Sequence, residues 1–388
     1  MIRLWRLDKR RVIMMDSWCE KGTIADLDMR APILIMGCVF GLGIPIVSVA
    51  EPTALTWIRM ANLNEARYSH TATLLLSGRV LIAGGLNGTS ETRTAELFNE
   101  HPGEWLQTGD LLQPRQGHAA TLLQNGTVLV SGGSQSTETL AASELYEPAS
   151  GTWSGTGNLN LGRVNHTATL LLDGRVLVAG GFDGSDETAN AELYDPNTGS
   201  WAPTGSLGAG REKHTATLLN DGRVLVAGGL GATGELASAE LYDPNSGSWS
   251  FASDMAQGRR EHTATLLHQG QVLIVAGFGD GALLRSVEMY DPENDAWLPA
   301  RSLANARDQH TATLIPTARL IIAGGEGERR VLMGAEQYTE RTMRWSSGGI
   351  TVDAVHLHTA TLLKDGRILL AGGLNEDGPV AGSELGQP

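Results

Sequence analysis

Cysteine is almost missing from this chain. Of 388 residues only Cys19 and Cys38 are cysteine, and both precede residue 51. Residues 51–388 therefore exclude disulfides, thiolate metal centres and thiol nucleophiles. Aromatic side chains make up 5%, and past residue 57 helix punctuation is nearly absent. Basic residues are the minority sign, 29 Lys and Arg against 43 Asp and Glu, for a formal net charge of −14. Residues 1–50 hold seven basic and five acidic side chains, so residues 51–388 carry −16. A body of that sign repels nucleic acid and anionic lipid, so neither is an expected partner. Its plain consequence is solubility. Glycine, by contrast, is plentiful at 49 residues, as a turn-dense β protein requires.

Other residues fall in a fixed register. His70, His118, His166, His214, His262, His310 and His358 stand 48 residues apart without a slip. Trp57, Trp105, Trp153, Trp201, Trp249, Trp297 and Trp345 keep the same step. So do Glu96, Glu144, Glu192, Glu240, Glu288, Glu336 and Glu384. A period of this size means one supersecondary unit copied and stacked. Residues 57–388 are thus one array, whatever domain count the length alone suggests.

The third copy shows the unit. Residues 163–171 alternate and are rich in Thr and Leu, which predicts a strand. Asp173-Gly174 is a two-residue hairpin signal. Residues 175–179 form a short apolar run, a buried strand, closed by Gly180-Gly181. A polar loop, 182–190, leads to a third strand, 191–194, and Ser200-Trp201 opens a fourth. Four antiparallel strands in a unit of this length describe a propeller blade.

The Gly-Gly doublet, the third-strand aromatic (Phe98, Tyr146, Tyr194, Tyr242, Tyr290, Tyr338) and the Trp that follows resemble the Kelch family. The likeness runs over about 330 residues and is to bacterial Kelch propellers of the galactose oxidase type without the copper site. It implies an all-β, seven-bladed β-propeller. Departures are local: Ala276-Gly277 replaces the doublet in the fifth copy, Pro316-Thr317-Ala318 replaces the hairpin signal in the sixth, and Gly386 stands at the Tyr position in the seventh. Trp57 has no strands upstream, and the last copy ends without its own Trp. The N-terminal strand around Trp57 is expected to complete the last blade and cover its open edge.

Residues 31–49 are uncharged and apolar, preceded by Arg30 and followed by Ser48-Val49-Ala50, the layout of a secretory leader cleaved after Ala50. A membrane anchor is the alternative, weakened by Pro45 and three glycines. Ile35-Met36-Gly37-Cys38 outlines a lipobox, against which the apolar run continues past Cys38. The expected organisation is an N-terminal extension, 1–28, as an overlong gene model would give; a leader, 29–50; and the propeller, 51–388. A secreted, periplasmic or cell-envelope location follows, with no stable membrane insertion of the mature chain.

A residue present in every blade builds blades. The histidines, at the start of the innermost strand, are expected to serve in hydrogen bonds rather than as a metal ring, since seven-fold symmetry sets them too far apart for Zn. The glutamates, mid-strand among apolar neighbours, need donors from backbone amides or from an Arg or His. Trp and Tyr should pack between blades with their polar tips bonded. Arg67, Arg115, Arg163, Arg211, Arg259 and Arg307 each precede the blade's His by three residues, and Val355 breaks the series. Structural pairing is one reading; the family resemblance implies another, in which they line the channel mouth and grip an acidic ligand.

Turns between first and second and between third and fourth strands scarcely vary. The opposite face carries the variation: loops 86–94, 134–143, 182–190, 230–238, 278–286, 326–334 and 374–382, and the residue pairs between Arg and His. Binding residues sit on loops carried by a rigid scaffold. The candidate ligand-binding set is the six arginines with Tyr68, Gln116, Asn165, Glu212, Lys213, Arg260, Glu261, Asp308 and His356. Asp183-Gly184-Ser185-Asp186-Glu187 lacks the spaced ligand set of a calcium loop. Asn87, Asn125 and Asn165 open glycosylation triplets that arise freely in such repeats. No metal, cofactor or catalytic residue is assigned. Three functions stand: an exported, non-catalytic binding module for a protein, peptide or glycan; a sugar-active enzyme, as the family's sialic-acid mutarotases imply; or a structural envelope or adhesion component.

Overall fold

The structure is a computed structural model that describes residues 53–387. The extension, the leader and its cleavage after Ala50, Cys19 and Cys38 lie outside the described residues. Among those described there is no helix. Seven four-stranded antiparallel sheets follow one another in the ring.

In the third blade the strands are Thr167–Leu170, Val176–Ala179, Ala191–Asp195 and Ser200–Pro203. The innermost strand of each blade touches its counterparts in both neighbours, which sets the seven around a central axis. The second strand, Val-Leu-Val-Ala, is buried along its whole length because blades cover both its faces. That is why it reads as a continuous apolar run rather than an alternating one.

The first turn differs from the two-residue hairpin read from Asp173-Gly174. Leu171 N donates to Arg175 O at 2.8 Å and Gly174 N to Leu171 O at 3.0 Å, with Gly174 at φ 90°. The loop is three residues, a type I turn ended by a left-handed glycine. Ala276, in the doublet of the fifth blade, takes φ 56° in place of glycine. The polar loops also hold structure that the sequence reading left out. In four blades they close as a two-stranded ribbon, for example Leu230–Gly231 with Gly234–Glu235.

The hydrophobic core is divided among the blade interfaces. Leu171, Leu177, Ala179, Ala191 and Leu207 of the third blade pack against Val224, Val226 and Tyr242 of the fourth. Each Tyr lies 5.0–5.1 Å, centroid to centroid, from its own blade's Trp. The polar tips are bonded as expected: Tyr194 Oη to Thr156 Oγ1 of the second blade at 2.8 Å, and Trp153 Nε1 to Gly109 O of the first at 2.8 Å.

The ring closes as the ends of the array imply. Thr56–Arg59 pairs antiparallel with Ser383–Gln387, placing Trp57 opposite Gly386. Gly386 now has a reason: a Cβ there would stand 2.7 Å from Cζ3 of Trp57. Deleting residues 51–60 should destabilise the protein by at least about 3–5 kcal/mol, the cost of truncating one buried Trp alone. Thermal unfolding checks this, and an unchanged melting temperature would refute the closure.

Candidate functional site

Six of the seven blades are bolted by an arginine–glutamate pair. Arg163 donates from Nη1 to Gly180 O and Asn190 O, both at 2.8 Å, and from Nη2 to Glu192 Oε1 at 2.9 Å. Glu192 also accepts the backbone amides of Asn160 and Leu161, at 2.8 and 3.3 Å. This satisfies the donor requirement of the buried carboxylate. Arg67, Arg115, Arg211, Arg259 and Arg307 repeat the arrangement with Glu96, Glu144, Glu240, Glu288 and Glu336. All six arginines have zero exposure. Their assignment to ligand binding is therefore corrected: the guanidinium fork is consumed by carbonyls and carboxylate beneath the surface, and no ligand reaches it. The seventh blade has Val355 instead of Arg, and burial raises the Glu384 carboxyl above its usual range.

The histidines form a second ring. Nε2 of His118 lies 2.9 Å from Thr71 Oγ1 of the preceding blade, and the same bond links His214 to Thr167, His262 to Thr215, His310 to Thr263 and His358 to Thr311. His70 closes the circle on Thr359 at 3.1 Å. The second blade has Ala119 at the Thr position, and His166 meets Ser131 instead, at 3.4 Å. Burial keeps these imidazoles neutral, pulling His70, His166, His214, His262 and His358 down to about 3 and the other two well below their ordinary value.

Just before each His, the chain turns left-handed: Ser69, Gly117, Asn165, Lys213, Glu261, Gln309 and Leu357 all have φ between 49° and 59°. Their backbones join in a closed circle. Each amide donates to the carbonyl of the equivalent residue one blade earlier, from Ser69 N to Leu357 O at 3.2 Å, around to Leu357 N to Gln309 O at 3.2 Å. This circle frames a basin of about 360 Å³ at the channel mouth, on the face that carries the variable loops.

The remaining candidate residues gather here. Asn165 Nδ2 donates to Glu212 Oε2 at 2.8 Å, and Lys213 Nζ to Glu261 Oε1 at 2.7 Å. Burial alone would raise the Glu261 carboxyl, but the hydrogen bond and charge of Lys213 outweigh it and hold it below the usual range. His356 Nδ1 lies 2.8 Å from Gln309 Oε1. The guanidinium of Arg260 sits 4.8 Å over the Phe278 ring and 3.7 Å from Glu235. Asp308 is buried, and that burial, with the charges of Glu261 and Glu326, pushes its carboxyl up to about 7. Tyr68 and Gln116, in the first two blades, are half-buried beside the same mouth and bring no charge.

Two members of this group escaped the sequence reading. Gln309 is the second half of the variable pair Asp308-Gln309. Glu326 follows the sixth doublet, where the other blades have Leu86, Ser134, Phe182, Leu230, Phe278 and Leu374. A lone carboxylate in that column was a legible signal. Beyond the mouth, a groove of about 580 Å³ runs between the sixth and seventh blades past Leu332, Met333 and Ile350. Among the described residues no group of three His, Cys, Asp or Glu is placed to hold a metal ion, and no helix is long and apolar enough to cross a membrane.

The model of the KLHDC2/KLHL20/DRC7 Kelch-repeats domain matches residues 154–325, and the unmatched blades keep the same 48-residue step. The array is built of Kelch repeats. No curated protein matches the sequence. Among solved structures, the Kelch propeller is similar to one described as a novel fungal alcohol oxidase with catalytic diversity among the AA5 family, in complex with copper. The TM-score is 0.72 at 15% identity, covering 87% of this chain and 77% of that one. At that identity the likeness extends to the fold alone.

Proposed function

We propose that this Kelch propeller is a non-catalytic interaction module that binds a protein partner on its variable face, centred on the channel mouth. One observation carries the reading. The scaffold bonds repeat around the ring, whereas the mouth is uneven: Lys213, Arg260, Glu261, Asp308 and Glu326 crowd the fourth to sixth blades, and the first two bring only neutral side chains. Unevenness on a rigid, otherwise repeated frame is what selects one partner. The apolar run at 31–49 and its small-residue exit support export, and the partner is then an extracytoplasmic protein.

Crosslinking capture with the purified propeller, from the envelope and culture fluid of its source, tests this. Lys213→Ala with Arg260→Ala should lose the captured protein, while Asp173→Ala with Arg175→Ala, on the opposite face, should retain it. Loss with the second pair and not the first would overturn the assignment. A sugar-active enzyme is the second reading, favoured by one feature: a carboxyl near 7 is poised for acid–base work, although Asp308 is only 4% exposed. Polarimetry of freshly dissolved sialic acid separates the two, and an unaccelerated mutarotation removes the enzyme.

A further inference from the structure

The mouth follows a rule of neighbours. The left-handed residue of one blade lies against the residue preceding the left-handed residue of the next. Asn165 meets Glu212, and Gln309 meets His356, each through a hydrogen bond of 2.8 Å. Gly117 makes room for Val164, whose Cγ2 would stand 2.6 Å from a Cβ at that glycine. Between the fifth and sixth blades the same station sets Glu261 beside Asp308: Gln309, next in sequence to Asp308, donates from N to Glu261 O and from Nε2 to Glu261 Oε2, both at 3.3 Å, and the Glu261 charge raises the Asp308 carboxyl.

Asp308 is 4% exposed, and its Oδ1 has no hydrogen-bond donor among the described residues. Glu326, whose backbone exchanges hydrogen bonds with that of Asp308 at 3.0 and 3.2 Å, adds a third carboxyl. The facing cations are few. Lys213 is held by Glu261, Arg260 is shared with Glu235 and Phe278, and burial lowers the pKa of His356. Two neighbouring carboxyls do not both ionise unless a positive charge joins them. Lys213 already serves Glu261, and at rest a proton serves Asp308.

We propose that the mouth between the fifth and sixth blades binds the guanidinium or ammonium group of a partner's side chain in exchange for the proton that Asp308 holds. This rests on the reading of the variable face as the partner surface. Glu261 and Gln309 line the open basin, so an arriving cation meets the Glu261 carboxylate at its wall. The basin, about 360 Å³, suits one side chain rather than a folded surface. The chain's net charge of −14 draws basic groups toward it. Once the cation is seated, Asp308 ionises and supplies the second carboxylate.

Calorimetric titration of capped Ala-Arg-Ala, Ala-Lys-Ala and Ala-citrulline-Ala peptides, at pH 6 and pH 8 and in buffers of different ionisation heat, tests the exchange. The arginine and lysine peptides should bind, and the citrulline peptide should not. Affinity should be about tenfold higher at pH 8 than at pH 6, since a proton leaves a group near 7. Glu261→Gln should abolish binding, and Asp308→Asn should bind with neither pH dependence nor proton release. Equal binding of the citrulline peptide, absence of proton release at pH 6, or no binding of the arginine peptide at millimolar concentration would overturn the proposal. Should Glu261→Gln fail to fold, Asp308→Asn and the pH comparison decide. If the capture experiment succeeds while the arginine peptide fails, this exchange falls and the assignment of the face stands.

Discussion

Acidification from pH 7 to pH 5 should unfold the propeller cooperatively, with an uptake of several protons. The cause is the histidine ring. Five of the imidazoles are held down to about 3 and two more well below their ordinary value, with burial as the first cause. In the unfolded chain each would protonate near 6.5. The sign follows from linkage. Below 6.5 the unfolded state binds protons that the folded state refuses, so stability is complete above that pH and is lost as pH falls toward 3. Each histidine forfeits up to about 1.4 kcal/mol per pH unit in that window. Seven together reach an upper bound of about 10 kcal/mol per unit, as large as the whole stability of an ordinary domain. Asp308 and Glu384 work in the opposite sense, because their raised carboxyls take up protons more readily when folded. Two such groups do not offset seven. Urea unfolding followed by circular dichroism at half-unit pH steps measures the effect, and a stability that is flat between pH 7 and pH 5 would refute it.

The difference between what the sequence disclosed and what it hid has a physical basis. Strands, blade count and closure were legible because each rests on residues repeated in register: Gly-Gly doublets, third-strand aromatics, and a Trp57 without its own blade. The role of the arginines was not legible, although their spacing was. Position −3 from each His is compatible with a side chain pointing up into the mouth or down between strands. Only the backbone shows that Gly180 O and Asn190 O converge on the same Arg163 Nη1. The acidic pair at the mouth was hidden for another reason. Glu261 and Asp308 are 47 residues apart and belong to different copies, so comparing a copy with itself does not pair them. The ring places the left-handed residue of one blade against the preceding position of the next, and that offset appears only in three dimensions.

The same substitution at two equivalent positions should give sharply unequal losses, and this isolates the worth of the buried ion pair. Glu192 and Glu384 occupy the same place in the third and seventh blades, and both are buried. Glu192 faces the fully buried Arg163, whereas Glu384 has Val355 at the corresponding position. Glu192→Gln should cost about 3–5 kcal/mol, because it leaves an uncompensated guanidinium out of water. It also sets an amide NH₂ against donors on both sides, whichever way the amide is turned: Arg163 Nη2 at one oxygen site, Asn160 N and Nδ2 at the other. Glu384→Gln should cost less than about 1 kcal/mol, since no buried cation is stranded and the amide oxygen still accepts Val352 N, now 2.6 Å from Oε2. Its raised pKa marks the neutral form as the one its surroundings favour. Arg59, which lies on the closing strand, is engaged with Asp353 through an exposed pair and does not replace the missing arginine. Urea midpoints of the two variants at pH 7 decide the matter. Equal losses would mean that Arg163 contributes only packing, and the account of the blades as bolted by charge would fail.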